Sequence, residues 1–384
     1  MGDLSQTLAS INAVLWNDTW ILIIAATGVL FTVWSGFMQY RALTHGPKVV
    51  RGVYDDPNDP GAINHFQALS AALSGTVGLG NIGGVALAIM LGGPGAIFWM
   101  WIVGFLGMSI KFIEVTLSML YRNTDDPENP HGGPMWVAGS ALKRMKPELG
   151  WLGTFLAFFF SLCVMTSSGT GGNMFQAWNV ADITNEYFGV EGWITGVVLT
   201  LIVGTVLLGG IRRIGKVAGT LVPAMVLIYI IAGFWVLFAN IGAVPGMLKL
   251  IVVSAFVPTE AAGAFVGGTV GSAFLFGMKR AIFSNEAGQG SSAIAHAAAK
   301  TDEPVREGLV GGMEPFIDTI VVCTFTALII LSTGIWNRAP DVAFDAEPVP
   351  VQTEAGWAYP DMQLPPGEWQ DQEALLIIVE AGEN

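Results

Sequence analysis

The chain is predicted to be an all-α polytopic membrane protein, and three features point there. Hydrophobic residues make up 52% of its 384 positions and charged residues only 12%, where a soluble domain carries about 25% charge. Mean hydropathy is +0.57. The stretch 66–110 contains no charged side chain at all. The many Trp and Phe suit interfacial and lipid-facing positions. The net charge of -13 comes without a basic stripe, so no nucleic-acid partner is expected. Cys163 and Cys323 both lie in apolar runs and read as buried small side chains, with neither disulfide nor metal spacing. The N-terminus has no basic region before a long apolar run, so no cleavable signal peptide is expected. The Met-Gly start resembles a myristoylation site only weakly.

Eight apolar segments predict eight crossings, in order 19–40, 68–91, 95–117, 151–175, 193–211, 217–240, 265–297 and 309–332. Basic residues follow every second one. Arg41, Lys48 and Arg51 follow the first, Arg122, Lys143, Arg144 and Lys146 the third, Arg212, Arg213 and Lys216 the fifth, and Lys300 and Arg306 the seventh. The positive-inside rule places these loops in the cytoplasm. The N-terminus and the Pro-rich acidic tail after Gly334 then face outward, a parity that eight crossings satisfy. The tail reads as an exposed extension. Lys111 and Glu114 stand three apart in the third crossing and read as a structural ion pair near its cytoplasmic end.

The second crossing is built to break. Eight glycines fall between Gly75 and Gly95, and Gly78-Leu79-Gly80-Asn81 lies in mid-span. Free backbone groups at membrane depth are tolerated only where they line a cavity. The seventh segment echoes this with Gly263, Gly267, Gly268, Gly271 and Gly277, and it runs in the opposite sense. Its break is expected in that glycine-rich run before Phe283. Two glycine-interrupted segments in corresponding halves point to a transporter site at their junction. Freed N–H groups of Leu79 and Gly80 would meet a carboxylate at a half-helix N-terminus. Carbonyls of Thr76 and Val77 would coordinate a cation such as sodium, and an ion would give the Asn81 side-chain oxygen a partner. Carbonyls of the second break would accept from a substrate ammonium.

Further polar groups crowd 165–179, where Asn173 and Gln176 share a helix face. Glu286 and Asp318 lie near cytoplasmic ends, Glu286 as a helix cap or inner-gate residue. His45, His65, His131 and His296 fall in loops or at borders without metal spacing. No nucleophile–base set is present, so the chain is not read as an enzyme. Gly78-Leu79-Gly80-Asn81 also lacks the Lys and strand of a phosphate loop.

The runs GTVGLGNIGGVALAIMLGGPGAIFWMW, HGGPMW, GGNMFQAWN and FSNEAGQGSSAIAHAAAKT resemble the alanine or glycine:cation symporter family. The resemblance implies a leucine-transporter-like inverted repeat and sodium-coupled uptake of small neutral amino acids across the cell membrane, with protons sometimes replacing sodium. It implies no cofactor beyond the coupling ion. The expected partners are a small neutral amino acid, sodium and the bilayer, with no obligate protein partner. The family map gives an N-terminal helix and cytoplasmic linker (1–65), a first five-helix repeat (66–240), an external loop (241–264), two helices of a second repeat (265–333) and an external acidic tail or loop (334–384). By motif, Thr76, Gly78, Leu79, Gly80, Gln176, Phe283 and Ser284 would touch substrate. Ser74 and Val77 would serve one sodium site, and Thr76 with Asn81 another. Leu79 stands where the family usually has Thr, and Trp178 where it usually has Asn. The second repeat, at two helices, is incomplete on this map. The chain is therefore expected to be a fragment, and a non-transporting or inactive truncated membrane protein with a sensor or interaction role is the alternative.

Overall fold

The computed structural model describes residues 16–257 and 270–337, positions 7, 10, 11 and 14, and two paired strands, β1 (Val351–Thr353) and β2 (Gly356–Ala358). Gly263, Gly267 and Gly268, the end of the loop 241–264 and most of the acidic tail lie outside the described residues.

Helix α1 (Asp18–Trp34) starts at Asn17, whose side chain accepts from the Thr19 N–H at 2.9 Å. The first crossing does not run to position 40 as expected. Gly36 and Phe37 adopt φ of +64° and +58°, and the chain turns by 75° into α2 (Met38–Val50). The reason is amphipathic spacing. Met38, Ala42, Gly46 and Val49 are buried, while Arg41 and Lys48 need water on the other side.

Helix α3 (His65–Thr76) and α4 (Leu79–Gly92) form the broken second crossing, bent by 42°. A capping box between Asn64 and Gln67 starts α3. Then follow α5 (Ala96–Tyr121) and α6 (Pro134–Met145). Helix α7 (Gly150–Ser167) widens into a π turn (Ser168–Met174) and continues as α8 (Phe175–Phe188). The chain goes on through α9 (Gly192–Leu207), α10 (Gly210–Ala239) and α11 (Val244–Ser254). The last of these occupies the stretch expected to be external loop, because 244–254 is itself an apolar helix former. Next come α12 (Val270–Asn285), α13 (Ser291–His296) and α14 (Pro304–Gly311). A second π turn (Phe316–Cys323) leads into α15 (Thr324–Ser332).

Among the described residues, four helical rods are long and apolar enough to cross a bilayer: Ala96–Tyr121, Pro147–Phe188, Gly210–Ala239 and Pro304–Ser332. Two bent pairs, α1 with α2 and α3 with α4, satisfy the same test together. Large apolar side chains such as Phe158 and Trp235 point outward, as lipid-facing residues do. The protein is a multi-pass membrane protein.

The main core joins α4, α5, α12 and α15 through Val85, Ile89, Ile97, Met100, Met278, Ile282, Ala327 and Leu331. Small residues set these distances. A Cβ on Gly277 would lie 2.4 Å from the Ala96 carbonyl oxygen, and one on Gly308 would lie 2.0 Å from Thr116 Oγ1. Both α12 and α14 therefore press on α5 at points where no side chain fits.

Candidate functional site at a helix break

Helix α3 loses its last regular turn at Thr76. Val77 is extended (φ -80°, ψ 102°), Gly78 follows with φ -175° and ψ -137°, and α4 resumes at Leu79. Asn81 holds the restart. Its Oδ1 accepts from the Gly78 N–H at 2.8 Å, and its own N–H donates to the Gly78 carbonyl at 3.1 Å. The next two amides, Leu79 and Gly80, precede any acceptor within their helix. They sit at the positive end of its dipole, about half an elementary charge.

Two contiguous cavities meet at this break. The smaller, about 70 Å³, is bounded by Thr76, Gly80, Gln176, Phe283, Glu286 and Gln289. The larger, about 880 Å³, lies on the α3 side and is reached by Ser74, Val77, Gly78, Gln176, Glu286 and Ser291. The π turn before α8 contributes Gly171 and Gly172 to the wall, with Ser167 just before it. Widened turns of this kind recur at functional sites. The Gln176 Oε1 hangs over the break, 3.8 Å from where a Gly78 Cβ would stand. The Thr76 hydroxyl is buried without a hydrogen-bond partner.

Behind the break lies a buried carboxylate. Asp318, in the second π turn, accepts from the Asn81 amide and from the Ser284 hydroxyl at 2.6 Å. The Asn81 amide also reaches Ser284 Oγ at 3.1 Å and Cys323 Sγ at 3.4 Å. Asp318 thus fastens α4 to α12 immediately beside the break.

The structure brings Thr76, Gly78, Gly80, Gln176 and Phe283 together around one space. Phe283 lies 3.8 Å from a Cβ position on Gly80. Ser284 stands beside Gly80, but its hydroxyl turns to Asp318 and away from the cavities. Asn81 is likewise committed. Its oxygen accepts from the Gly78 amide, and its nitrogen faces Asp318. Ser74 donates to the Ala71 carbonyl at 2.6 Å and borders the larger cavity, as does Val77. Leu79 supplies backbone only, at the first position of α4.

Three readings need correction. The second break does not lie in the described glycine-rich run before Phe283, because α12 is continuous from Val270 to Asn285. Gly277 there serves packing. The chain breaks after Phe283, over 286–290, where Glu286, Gly288 and Gly290 have φ of +54°, +92° and +74°. Lys111 does not find its nearest partner in Glu114. Its ammonium lies 3.4 Å from Glu314 and donates to Ser292 at 2.6 Å, because Lys111 is on the buried face of α5, against α13 and the end of α14. Cys163 is exposed and borders the larger cavity. Glu286 and Gln289 as cavity residues were not anticipated, although the Asn-Glu-Ala-Gly-Gln-Gly turn chemistry carries the signal.

Comparison with known proteins agrees with this architecture. The model of the sodium:alanine symporter family matches residues 1–355. The sodium/alanine symporter AgcS of Methanococcus maripaludis is 42% identical over 333 residues, covering 87% of this chain and 72% of the relative. The putative sodium/proton-dependent alanine carrier protein YrbD of Bacillus subtilis is 36% identical over 342 residues, covering 89% and 67%. The probable sodium/glutamine symporter GlnT of Bacillus subtilis is 37% identical over 327 residues, covering 85% and 65%.

Proposed function

The chain belongs to the sodium:alanine symporter family, its activity is sodium-coupled amino-acid symport, and we propose that it carries a small neutral amino acid, alanine or glycine, across the plasma membrane through the break in its second crossing. The observation that carries this is the juxtaposition of free α4 amides with a small cavity walled by Thr76, Gly80, Gln176 and Phe283.

A zwitterion needs two opposite partners. The substrate carboxylate is received by the Leu79 and Gly80 amides, where the dipole of α4 adds attraction. The Gln176 amide closes over it from α8. Glu286 borders the same space and offers negative charge to the substrate ammonium. Glycine at 78 and 80 lets the ligand approach the backbone. The carbonyls of Ser74 and Val77, at the frayed end of α3, supply hard oxygen donors for sodium, with the unpartnered Thr76 hydroxyl beside them. A bound sodium neutralises part of the carboxylate charge, which couples the two occupancies. The stretch 66–240 forms the first repeat in this reading, and 265–333 opens a second of opposite sense.

Sodium-dependent uptake of labelled alanine into proteoliposomes holding the full-length protein tests the proposal. Saturable uptake that collapses without sodium is expected. Absence of saturable uptake for alanine, glycine and serine alike overturns it.

A further inference from the structure

Two charged side chains, Lys279 and Arg280, interrupt the seventh crossing, and the transport site described above uses neither. They lie on α12 with Phe276 before them and Phe283 after them. The i, i+3, i+4, i+7 spacing puts all four on one stripe of the helix. Trp16, just ahead of α1, stands against this stripe. The five residues bound a cavity of about 240 Å³, which has room for a small amino acid.

The two cations are compensated differently. The Lys279 ammonium lies 2.9 Å from the Asp18 carboxylate and 5.9 Å from the centre of the Phe276 ring. Arg280 is half-buried and has no carboxylate partner among the described residues. Its guanidinium carbon lies 6.0 Å from the centre of the Phe283 ring, and its Nε is buried without a hydrogen-bond partner. A charge left unpaired inside a membrane bundle is costly and marks a path for a ligand or an ion. The group that matches a guanidinium is a carboxylate, gripped by two parallel N–H donors. The indole of Trp16 supplies an apolar wall for a side chain, and its face attracts an ammonium.

Phe283 joins this pocket to the transport site. It bounds the 240 Å³ cavity and also the 70 Å³ cavity at the break. Its ring stands 3.8 Å from a Cβ position on Gly80, and its centre lies 6.4 Å from that of Trp16. Helix α12 runs toward the break at 286–290, so Phe276 is about two turns farther from that break than Phe283. The pocket therefore lies toward the N-terminal ends of α12 and α1. That end is opposite the basic loops and faces outward by the positive-inside rule.

We propose that the pocket of Trp16, Phe276, Lys279, Arg280 and Phe283 is an outer subsite that receives the carboxylate of an arriving amino acid on Arg280, with Phe283 as the partition between it and the break. The subsite rests on the symport reading, since its ligand is the substrate on its way in.

Initial rates of sodium-driven alanine uptake into proteoliposomes holding the full-length protein test this, with propionate as a carboxylate that lacks the ammonium. Arg280→Gln is expected to raise the KM for alanine about ten-fold and to weaken propionate inhibition about as much, the share of one charge-assisted contact. Vmax is expected to stay. Arg280→Lys keeps the charge and is expected to recover most of the affinity. An unchanged KM in Arg280→Gln overturns the subsite, as does equal propionate inhibition of variant and wild type. Exchange of chloride for methanesulfonate gives a further arm. If it slows the wild type and leaves Arg280→Gln unaffected, the pocket holds chloride, and the subsite is overturned. If Arg280→Gln does not insert, Trp16→Ala decides, with a raised KM and weaker propionate inhibition expected and unchanged values overturning the subsite. Absence of saturable alanine uptake by the wild type overturns the symport reading itself.

Discussion

The break at Val77 and Gly78 and the ionic line of Asp55, His65, Glu307, His296, Glu314 and Lys111 are both polar regions inside one membrane bundle, yet they are built in opposite ways. At the break the polarity comes mostly from peptide groups and neutral side chains, Gly80, Gln176 and Thr76, with the Glu286 carboxylate beside them, and these residues line open space. Along the line the polarity comes from carboxylates, imidazoles and one ammonium packed against one another, with no solvent except at Asp55. The difference teaches how cost is distributed. Dipoles that await a ligand need a cavity, whereas charges need partners and tolerate none being removed. Substitutions at the break should therefore change transport and spare folding, and substitutions in the line should do the reverse.

The largest effect is expected from Gly80→Leu. A Cβ there would stand 3.6 Å from Ser284 Cα and 3.8 Å from the Phe283 ring, so alanine is accommodated and leucine fills the space. Sodium-driven uptake should vanish while the protein still inserts and keeps its elution volume. Retained uptake would show that the break is not the route. Lys111→Met should come next and reverse the pattern. Removing the ammonium leaves Glu314 facing other buried carboxylates, a loss of about 3–5 kcal/mol, visible as a fall in melting temperature. An unchanged melting temperature would mean that Lys111 does not compensate the buried Glu314 carboxylate.

These two positions also show what the sequence made legible. The first break was readable because glycine clustering beside a mid-span Asn is a local signal, and the chain does stop being helical at Thr76. In the described part of the second glycine-rich run the helix is unbroken from Val270 to Asn285. Gly271 and Gly277 look the same in sequence as Gly78 and Gly80, but Gly277 meets the Ala96 carbonyl across a helix contact. Only tertiary packing separates a glycine that unwinds from one that admits a neighbour. The ionic line was not readable at all. His65 and Glu307 are far apart in the chain, and neither belongs to a local pattern. The 75° turn after Trp34 was missed for a subtler reason. The polar spacing of α2 was present, but the apolar run was extended through it.

Smaller effects refine the contrast. Gln176→Ala removes a single hydrogen-bonding group over the break, so apparent alanine affinity should fall roughly five-fold, or about 1 kcal/mol, in a titration of uptake. No change would place the substrate away from α8. Glu128→Gln should do least. Its hydrogen bond from Arg212, 2.7 Å long, holds the carboxyl below the usual value. Such a pair stabilises above the ordinary carboxylate range and loses that contribution as pH falls through the lowered value. Both partners are exposed, so neither melting temperature nor uptake should move measurably at any pH. A clear shift would reveal a role for this loop.

The wide turn over Ser168–Met174 has a consequence for how this wall can be edited. It lies directly upstream of Gln176, so deleting one residue within it would rotate everything downstream by about 100° about the helix axis. Gln176 would then take the exposed position now held by Phe175, and Ala177 would inherit its place. A one-residue deletion here should act as a stronger lesion than most side-chain replacements, with the rod's length and lipid-facing stripe almost preserved.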